Sequence, residues 1–331
     1  MSFGKLIALI FVTLTFQLAA TEKTATSDSV QIIPHYSMQE YDAEIKKIYA
    51  NNPQHNQQSI ETKVAIYSAA FLGKPSVHAA LGEGPNAKFD KSPLYRMDVF
   101  DCNTYAATVL ALAESKNLAE FKNNIVKINY KNQNATYENR NHFAEVDWDA
   151  KNQKNGYLRD VTLLIKDNAG KPVAKVANAT IAKPAWFAMK KADSIKVFTP
   201  LSETETKRRV VALQAIKNKV KSEDVMVRYI PFTALFDAQK VPNAAVFDQI
   251  PSGSLIQIVR PNWDLTSTIG THLNISHMGF AIRDERGLIF RDASALVDKV
   301  RDIPLHEYLK ICMEKPTIKG INVQKVISPR I

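Results

Sequence analysis

Apolar residues recur at three- and four-residue intervals in two segments near the start of the chain, residues 36–49 and 59–71, and this period predicts two helices. A loop rich in Gly and Pro follows at residues 73–93. From Val99 to Ser115 neither Gly nor Pro interrupts the chain. Apolar side chains lie on nearly all sides of this third predicted helix, so we expect it to be buried.

Alternation between apolar and polar residues dominates the last third of the chain and predicts a mainly β region. The predicted strands there are residues 254–259, 275–283, 287–291 and 321–327. The turn Asp284-Glu285-Arg286-Gly287 joins the second and third of these strands into a hairpin. A short helix is predicted at 305–312.

Weaker patterns occupy the middle of the chain. Residues 203–221 have the spacing of a long amphipathic helix. The predicted strands of this part are residues 124–130, 160–165, 172–179 and 225–230. The predicted helices thus concentrate early in the chain and the predicted strands late.

The first twenty residues have the composition of a secretory signal. Lys5 precedes an almost continuous apolar stretch that ends in Ala19 and Ala20. The stretch is shorter than the roughly 20 residues that a membrane span needs, so we predict a cleaved signal peptide at 1–20 and no stable membrane insertion. The mature protein is then exported, periplasmic or secreted. The polar segment 21–35 is predicted to be flexible.

The chain carries a formal net charge of +10, which suits an anionic partner such as cell-wall carboxylates, lipid head groups or nucleic acid. Its basic residues form only short groups, such as Lys190-Lys191 and Lys207-Arg208-Arg209. We therefore predict a solvated basic face and no nucleic-acid partner. No Cys and His spacing has the form of a zinc site and no Gly-rich phosphate loop is present, so no metal or cofactor is predicted.

One of the two cysteines, Cys102, lies at the start of the predicted buried helix. The positive end of the helix dipole favours the nucleophilic thiolate there. Asp101 and Asn103 surround the thiol with polar groups, which is unusual for a core cysteine. A free Cys is more often a small buried hydrophobe. That second interpretation fits Cys312, which lies in an apolar segment, and we expect Cys102 to be a free thiol.

A histidine on a predicted strand supplies the base that such a thiol needs. His277, Gly279 and Ala281 share one face of their strand, and the two small neighbours are expected to leave room above the imidazole. Asp292 on the next strand of the hairpin lies within reach of the same face. Cys102, His277 and Asp292 then form a nucleophile, a base and a carboxylate that orients the base. A lone His on a strand is more often structural.

At these positions the sequence resembles a known family. Residues 93–104, 140–143, 147–148 and 276–280 carry the resemblance. They resemble the NlpC-type cysteine hydrolases of bacterial cell walls, and in particular the N-acetylmuramoyl-L-alanine amidase branch once described only as a domain of unknown function. The resemblance runs from about residue 59 to the C-terminus.

This resemblance implies a papain-like α+β fold in which the nucleophile helix packs on an antiparallel sheet. Residues 36–331 would form a single domain, with a large insertion between Cys102 and His277 at about 120–250. It implies a monomer without metal or cofactor that acts on peptidoglycan fragments. The implied reaction is hydrolysis of the amide between the lactyl group of N-acetylmuramic acid, in its 1,6-anhydro form, and L-alanine of muropeptides.

Further site residues follow from the resemblance. Tyr95 is expected to offer a hydroxyl to the oxyanion. The expected substrate-binding residues are Tyr95, Arg96, Arg140, Asn141, His142, Asp147, Trp148 and Ser276. A buried polar network is the alternative interpretation of the insertion residues in this set. Most of the branch is expected to carry His where this chain has Asp292.

Two other functions remain open from the sequence. An endopeptidase of the same fold would use Cys102 and His277 to cut between γ-D-glutamate and diaminopimelate, because the surrounding loops, not the catalytic groups, select the bond. A catalytically inactive cell-wall-binding protein would bury Cys102 or turn Asp292 away from His277.

Overall fold

An antiparallel sheet of eight strands organises the molecule. The computed structural model describes residues 29–329, so the predicted signal peptide and residues 21–28 of the predicted flexible segment lie outside the described residues. The strands of the described residues are β1 (Gln31–Ile32), β2 (Leu158–Asp160), β3 (Lys175–Ile181), β4 (Lys196–Val197), β5 (Glu223–Pro231), β6 (Ser254–Leu265), β7 (Thr271–Asp284), β8 (Gly287–Ser294), β9 (Lys299–Pro304) and β10 (Gly320–Val326). All of them except β1 and β4, which pair with each other, belong to the eight-stranded sheet.

Helices surround this sheet. They are α1 (Met38–Ala50), α2 (Ile60–Ala69), α3 (Cys102–Ala113), α4 (Leu118–Asn129), α5 (Asp149–Lys154), α6 (Lys183–Ala188), α7 (Glu203–Gln214), α8 (Phe232–Leu235), α9 (Ala244–Phe247), α10 (Thr266–Ile269) and α11 (Leu305–Met313). A wide π-type helical turn, Ala144–Trp148, leads into α5. Within residues 29–329, none of the helices has both the length and the apolar character that a membrane crossing requires.

The strand order of the sheet is β3-β5-β10-β6-β7-β8-β9, and β2 pairs with β10 beyond the end of β5. In the predicted hairpin of β7 and β8, Asp284 pairs with Gly287, as expected. An irregularity between β6 and β7 falls next to the pair Ile258 and His277. Such bulges re-aim side chains and are frequent beside functional sites.

The two faces of β7 belong to different hydrophobic clusters, which confirms the predicted alternation. Met278, Phe280 and Ile282 pack in the cluster that contains α3, and the rings of Phe280 and Tyr105 lie 6.0 Å apart. Ala281 belongs to the cluster on the other face, together with α11. The helix α3 is buried from Thr104 to Ala113, so its first residues are held rigidly against the sheet.

Most of the predicted elements form, and four parts differ. Of the predicted strand at residues 160–165 only Asp160 belongs to a strand, β2, because its carboxylate accepts a hydrogen bond from the backbone N–H of Thr162 at 2.9 Å and the chain turns there into a short 3₁₀ helix, Thr162–Leu164. Residues 124–130 are not a strand, because α4 covers this segment and buries Phe121, Ile125 and Ile128 along one helical face. Strand β9 was not predicted. Residues 31–32, inside the segment predicted to be flexible, pair as β1 with β4.

Candidate active site

The side chain of Asp101 fixes the start of α3 and thus the position of Cys102. One carboxylate oxygen accepts a hydrogen bond from the backbone N–H of Thr104 at 2.7 Å, and the Thr104 hydroxyl in turn accepts one from the Asp101 backbone N–H at 2.9 Å. The other carboxylate oxygen accepts from the N–H of Ala80 at 2.9 Å. This capping box anchors the preceding loop to the helix and leaves the Cys102 thiol half-buried.

His277 lies between the Cys102 thiol and the Asp292 carboxylate. On one side, Cys102 lines the same cavity as the imidazole and is close enough to raise its pKa. On the other side its Nε2 lies 2.8 Å from Oδ2 of Asp292. The structure therefore brings together the three residues that the sequence singled out, in the order nucleophile, base and carboxylate.

Three influences act on the His277 imidazole. Burial alone would lower its pKa, but the hydrogen bonds to Asp292 and Cys102 and the charges of both groups raise it to about 10. His277 is therefore an imidazolium at neutral pH. A positively charged ring beside a thiol stabilises the thiolate.

The sequence predicted open space above the face of β7 that carries His277, but in the structure this space is filled. A Cβ atom at position 279 would lie 2.7 Å from Cζ of Phe290, so the absence of a side chain on Gly279 makes room for that ring. Phe290 and Tyr308 pack against each other and against His277, with centroid distances of 4.6 to 6.1 Å. The aromatic rings hold the imidazole from this side, and the thiol side faces a cavity.

This cavity has a volume of about 260 Å³ and contains Cys102 and His277 in its wall. The other residues that line it are Ala79, Leu81, Asp101, Asn103, Arg140, Asn141, His142, Phe143, Ala144, Glu145, Leu273, Ile275, Ser276 and Met278. Its walls thus come from the loop before α3, from the insertion and from β7. Among the described residues, no three His, Cys, Asp or Glu side chains group closely enough to hold a metal ion.

Four of the predicted substrate-binding residues line the cavity, and each is already held by the protein. Arg140 donates to Glu83 at 2.7 Å and to Asp90 at 3.1 Å, so two carboxylates neutralise its charge. The Asn141 amide donates to a backbone carbonyl and leaves its own oxygen without a partner among the described residues. Ser276 donates to a backbone carbonyl at 3.3 Å.

His142 is the fourth of these residues and is a neutral imidazole. Its Nε2 donates to the backbone carbonyl of Tyr137 at 2.7 Å, and its ring lies 4.6 Å from that of Trp186. Burial lowers its pKa well below the usual value, and the positive charges of Arg140 and Lys190 lower it further. Nδ1 of this neutral ring therefore carries no proton and is a hydrogen-bond acceptor.

The other four predicted residues are placed elsewhere. The hydroxyl of Tyr95 donates to Asp42 at 2.6 Å, so Tyr95 does not offer the oxyanion donor that we expected. Arg96 forms a two-bond ion pair with its near neighbour Asp98. Asp147 pairs with two lysines, and the indole of Trp148 is buried in the main core. None of these four side chains lines the cavity that contains Cys102 and His277.

Sequence reasoning missed Glu145, a buried carboxyl group in the cavity wall. Its Oε1 accepts a hydrogen bond from the backbone N–H of Asn274 at 2.6 Å, which ties the insertion to β7 close to His277. Burial raises the pKa of this carboxyl group. It stands two residues before the Asp147-Trp148 pair that the resemblance emphasised, but only the π-type turn reveals which of these side chains reaches the cavity.

A model of the AmiA-like family, described as N-acetylmuramoyl-L-alanine amidase-like, matches residues 66–318. The chain belongs to this family. Family membership supports a cell-wall amidase activity and thus a hydrolase acting on peptidoglycan material. No curated protein matches the chain.

Solved structures share the fold over nearly their whole length. A Legionella pneumophila protein of the DUF1460 family is 43% identical, covers 88% of this chain and 97% of its own, and superposes with a TM-score of 0.84. An N-acetylmuramoyl-L-alanine amidase from Bacteroides uniformis is 22% identical, covers 81% of this chain and 99% of its own, and superposes with a TM-score of 0.55. The more distant structure shows that the mixed α and β architecture is shared.

Loss of the Asp101 cap should reduce activity as well as stability. Asp101→Ala leaves N–H groups at Thr104 and Ala80 without their acceptor, and we expect a loss of about 1–2 kcal/mol in the free energy of unfolding. Urea-induced unfolding of the variant and the wild type measures this loss. Asn117→Ala is the matched control, because the Asn117 side chain caps α4, at 3.0 Å from the backbone N of Glu120, and does not line the cavity. Equal activity of the two variants would contradict the role of Asp101 in placing Cys102.

Proposed function

We propose that this protein is a cysteine amidase that hydrolyses the amide bond between the lactyl group of N-acetylmuramic acid and L-alanine in muropeptides. One observation carries the proposal: the half-buried thiol of Cys102 meets His277 at a cavity, and Asp292 lies 2.8 Å behind the imidazole. Membership of the AmiA-like family supports the choice of bond. The arrangement of helix thiol and strand imidazole is the one we infer to be papain-like.

In the first half of the proposed reaction, the Cys102 thiolate attacks the lactyl carbonyl carbon. The C–N bond then breaks, and the His277 imidazolium gives its proton to the departing nitrogen of L-alanine. The products of this step are a thioester on Cys102, a neutral imidazole and a free peptide amine.

In the second half, the neutral His277 takes a proton from a water molecule. The resulting hydroxide attacks the thioester carbonyl, the C–S bond breaks, and the lactyl group leaves as a carboxylic acid. The thiolate and the imidazolium are restored. Asp292 accepts a hydrogen bond from His277 throughout, keeps Nδ1 towards the thiol and stabilises the imidazolium.

The start of α3 supplies the oxyanion site in this proposal. The backbone N–H groups of Cys102 and Asn103 belong to the first turn of the helix, where no intrahelical acceptor exists. Both lie at the positive end of the helix dipole and next to the nucleophile, as a developing oxyanion requires. They replace the Tyr95 hydroxyl, which donates to Asp42 instead.

The dimensions of the cavity fit the scissile bond and its neighbours. Its volume of about 260 Å³ is below the roughly 300–1,000 Å³ of pockets that enclose whole drug-sized ligands. We therefore infer that the lactyl and alanyl groups enter it, while sugar and distal peptide lie on the surrounding surface. The family resemblance favours the 1,6-anhydro sugar. Export through residues 1–20 would bring the enzyme to such fragments, and its recovery from the periplasmic or secreted fraction tests this location.

The pH dependence of the reaction should show the titration of His277. Its pKa in the folded protein is raised to about 10, so the imidazolium persists below that pH and is lost as the pH rises through it. We expect kcat/KM to fall on the alkaline side with a midpoint near 10, provided that circular dichroism shows a folded chain there. A midpoint near the ordinary histidine value of about 6.5 would contradict the imidazolium assignment.

Product analysis tests the proposed function. The mature protein and its Cys102→Ala variant are incubated with a defined anhydro-disaccharide tetrapeptide, and the products are identified by mass spectrometry. The proposal predicts release of the intact tetrapeptide by the wild type alone. A disaccharide that keeps L-alanyl-γ-D-glutamate would establish the endopeptidase instead. No cleavage, or equal cleavage by Cys102→Ala, would overturn the proposal.

A further inference from the structure

The ladder between β8 and β9 places Arg301 directly opposite Asp292. Facing residues of neighbouring strands have adjacent side chains. Nε of Arg301 lies 3.4 Å from Oδ1 of Asp292, while Oδ2 of the same carboxylate lies 2.8 Å from Nε2 of His277. One carboxylate thus bridges the imidazole and a guanidinium.

The Asp292 carboxylate is almost completely enclosed, since its side chain is 1% exposed. A buried charge is tolerated when opposite charges and hydrogen bonds compensate it. Within residues 29–329, Arg301 has Asp292 as its only ion-pair partner, and its Nη2 is buried without a hydrogen-bond partner. Its guanidinium lies 5.9 Å from the ring of Tyr308, which also packs against His277. The position of Arg301 is thus set by Asp292 and the rings around it.

We propose that Arg301 is a positioning residue of the active site, which pairs with Asp292 and thereby limits how strongly Asp292 holds the proton on His277. This inference rests on the proposed function for its kinetic meaning. Asp292 places a carboxylate directly beside the imidazole. Arg301 offsets this charge from the neighbouring strand.

The charged neighbours of this pair on the same two strands, Arg291 and Asp302, form an ion pair with each other. Tyr105 of α3 and Tyr308 of α11 also lie close to Asp292, and burial raises the pKa of both hydroxyls above their usual range. Burial raises the pKa of the Cys312 thiol to about 12, and the charge of Arg260 also acts on this thiol. Among these groups, Arg301 is the cation paired with Asp292.

The consequence differs between the two halves of the reaction. Formation of the thioester needs a protonated His277, and its hydrolysis needs a neutral one that takes a proton from water. Without Arg301, the uncompensated charge of Asp292 keeps the proton on the imidazole. Hydrolysis of the thioester then slows and the acyl-enzyme accumulates, while its formation continues.

Two readouts test the role of Arg301, one without any substrate. In the Cys102→Ala background, nuclear magnetic resonance follows the His277 ring through its titration. We expect Arg301→Met to raise the midpoint of this titration by about one pH unit, which lowers the fraction of neutral imidazole about tenfold. Arg301→Lys keeps the charge and should restore the wild-type midpoint. Arg286→Met is the control, because Arg286 pairs with Asp284 and Asp302 and makes no ion pair with Asp292.

The second readout is kinetic and uses the wild-type cysteine. For Arg301→Met we expect kcat to fall about tenfold, matching the lost neutral imidazole, with a thioester adduct visible by intact-protein mass. An unchanged midpoint of His277 in Arg301→Met, or an equal change in Arg286→Met, would overturn the inference. If the midpoint moves but the wild type does not cleave muropeptides, the proposed function fails and the role of Arg301 towards the imidazole stands.

Discussion

Cys102→Ala is expected to abolish muropeptide hydrolysis, with a fall in kcat/KM of at least about 10⁴-fold, because removal of a nucleophile leaves only binding and the oxyanion site. The fold should survive the change. Cys102 is half-buried at the first position of α3, where Ala is a good helix former. Product release from a defined anhydro-muropeptide, normalised to folded protein, measures the effect.

The second cysteine provides the matched control. Cys312 of α11 is buried in the hydrophobic cluster that does not contain α3. Cys312→Ala removes a thiol from a packed region and should cost stability, while the rate per folded molecule stays near that of the wild type. Activity that survives in Cys102→Ala, or that disappears equally in both variants, would contradict a nucleophilic Cys102.

The second large effect is expected for Asp292→Asn, with a fall in kcat of about 10³-fold. The amide keeps the shape of the carboxylate but loses its charge, so it neither stabilises the His277 imidazolium nor fixes its tautomer. It also leaves the guanidinium of Arg301 without a counter-ion in a largely buried place. The residual activity should lose its imidazolium at a lower pH than the wild type, because the Asp292 carboxylate no longer raises the pKa of His277.

Asp302→Asn controls for the loss of a carboxylate in the same part of the sheet. Asp302 is the neighbour of Arg301 on β9 and pairs with Arg291 and Arg286 instead of His277. Its replacement should lower the free energy of unfolding and leave kcat within a few-fold of the wild type. A loss of activity as large as that of Asp292→Asn would indicate general damage to the sheet and contradict the specific role of Asp292.

The parts of the fold that could be predicted are those determined by local patterns. The uninterrupted apolar run after Val99 gives α3, and the turn at 284–287 gives the hairpin of β7 and β8. Once that hairpin is known, the strand period alone puts His277 and Asp292 near each other. The proximity of Cys102 to them requires in addition that α3 packs on β7, which its apolar surface makes the natural arrangement.

The wrong predictions depend on contacts between residues that are distant in sequence. Tyr95 stands in the motif before Cys102, but its hydroxyl is taken by Asp42 on α1. Trp148 lies in a polar segment, yet the π-type turn directs its indole into the main core. No sequence period reveals such pairings, because each is decided by the approach of two elements.

Arg301 was missed for a related reason. Strand β9 is short, and it mixes charged residues with Val300 and Ile303 at an edge of the sheet, so its pattern did not predict a strand. Without β9 there is no register, and without a register there is no reason to place Arg301 opposite Asp292. Polar residues that contact the catalytic groups from a neighbouring strand can be identified only when the strand order and register of the sheet are known.

The insertion between Cys102 and His277 has two roles in the structure. Residues 140–145 line the cavity beside the thiol, while Asp147 and Trp148 hold the same segment to the rest of the molecule. The positive charge of Arg140 on this side of the cavity is compensated, because Glu83 and Asp90 pair with it. We therefore expect the anionic stem peptide to contact surfaces outside the cavity.

The central claim is that Cys102 forms a thioester with the lactyl group of the muropeptide. The most direct test is to quench the wild-type reaction in acid within milliseconds, measure the intact-protein mass and map the adduct by proteolysis. The account predicts an added mass equal to the anhydro-disaccharide with its lactyl acyl group, located on the peptide that contains Cys102. An adduct that also retains L-alanine and D-glutamate, an adduct on another residue, or turnover without any adduct under conditions that trap thioesters would contradict it.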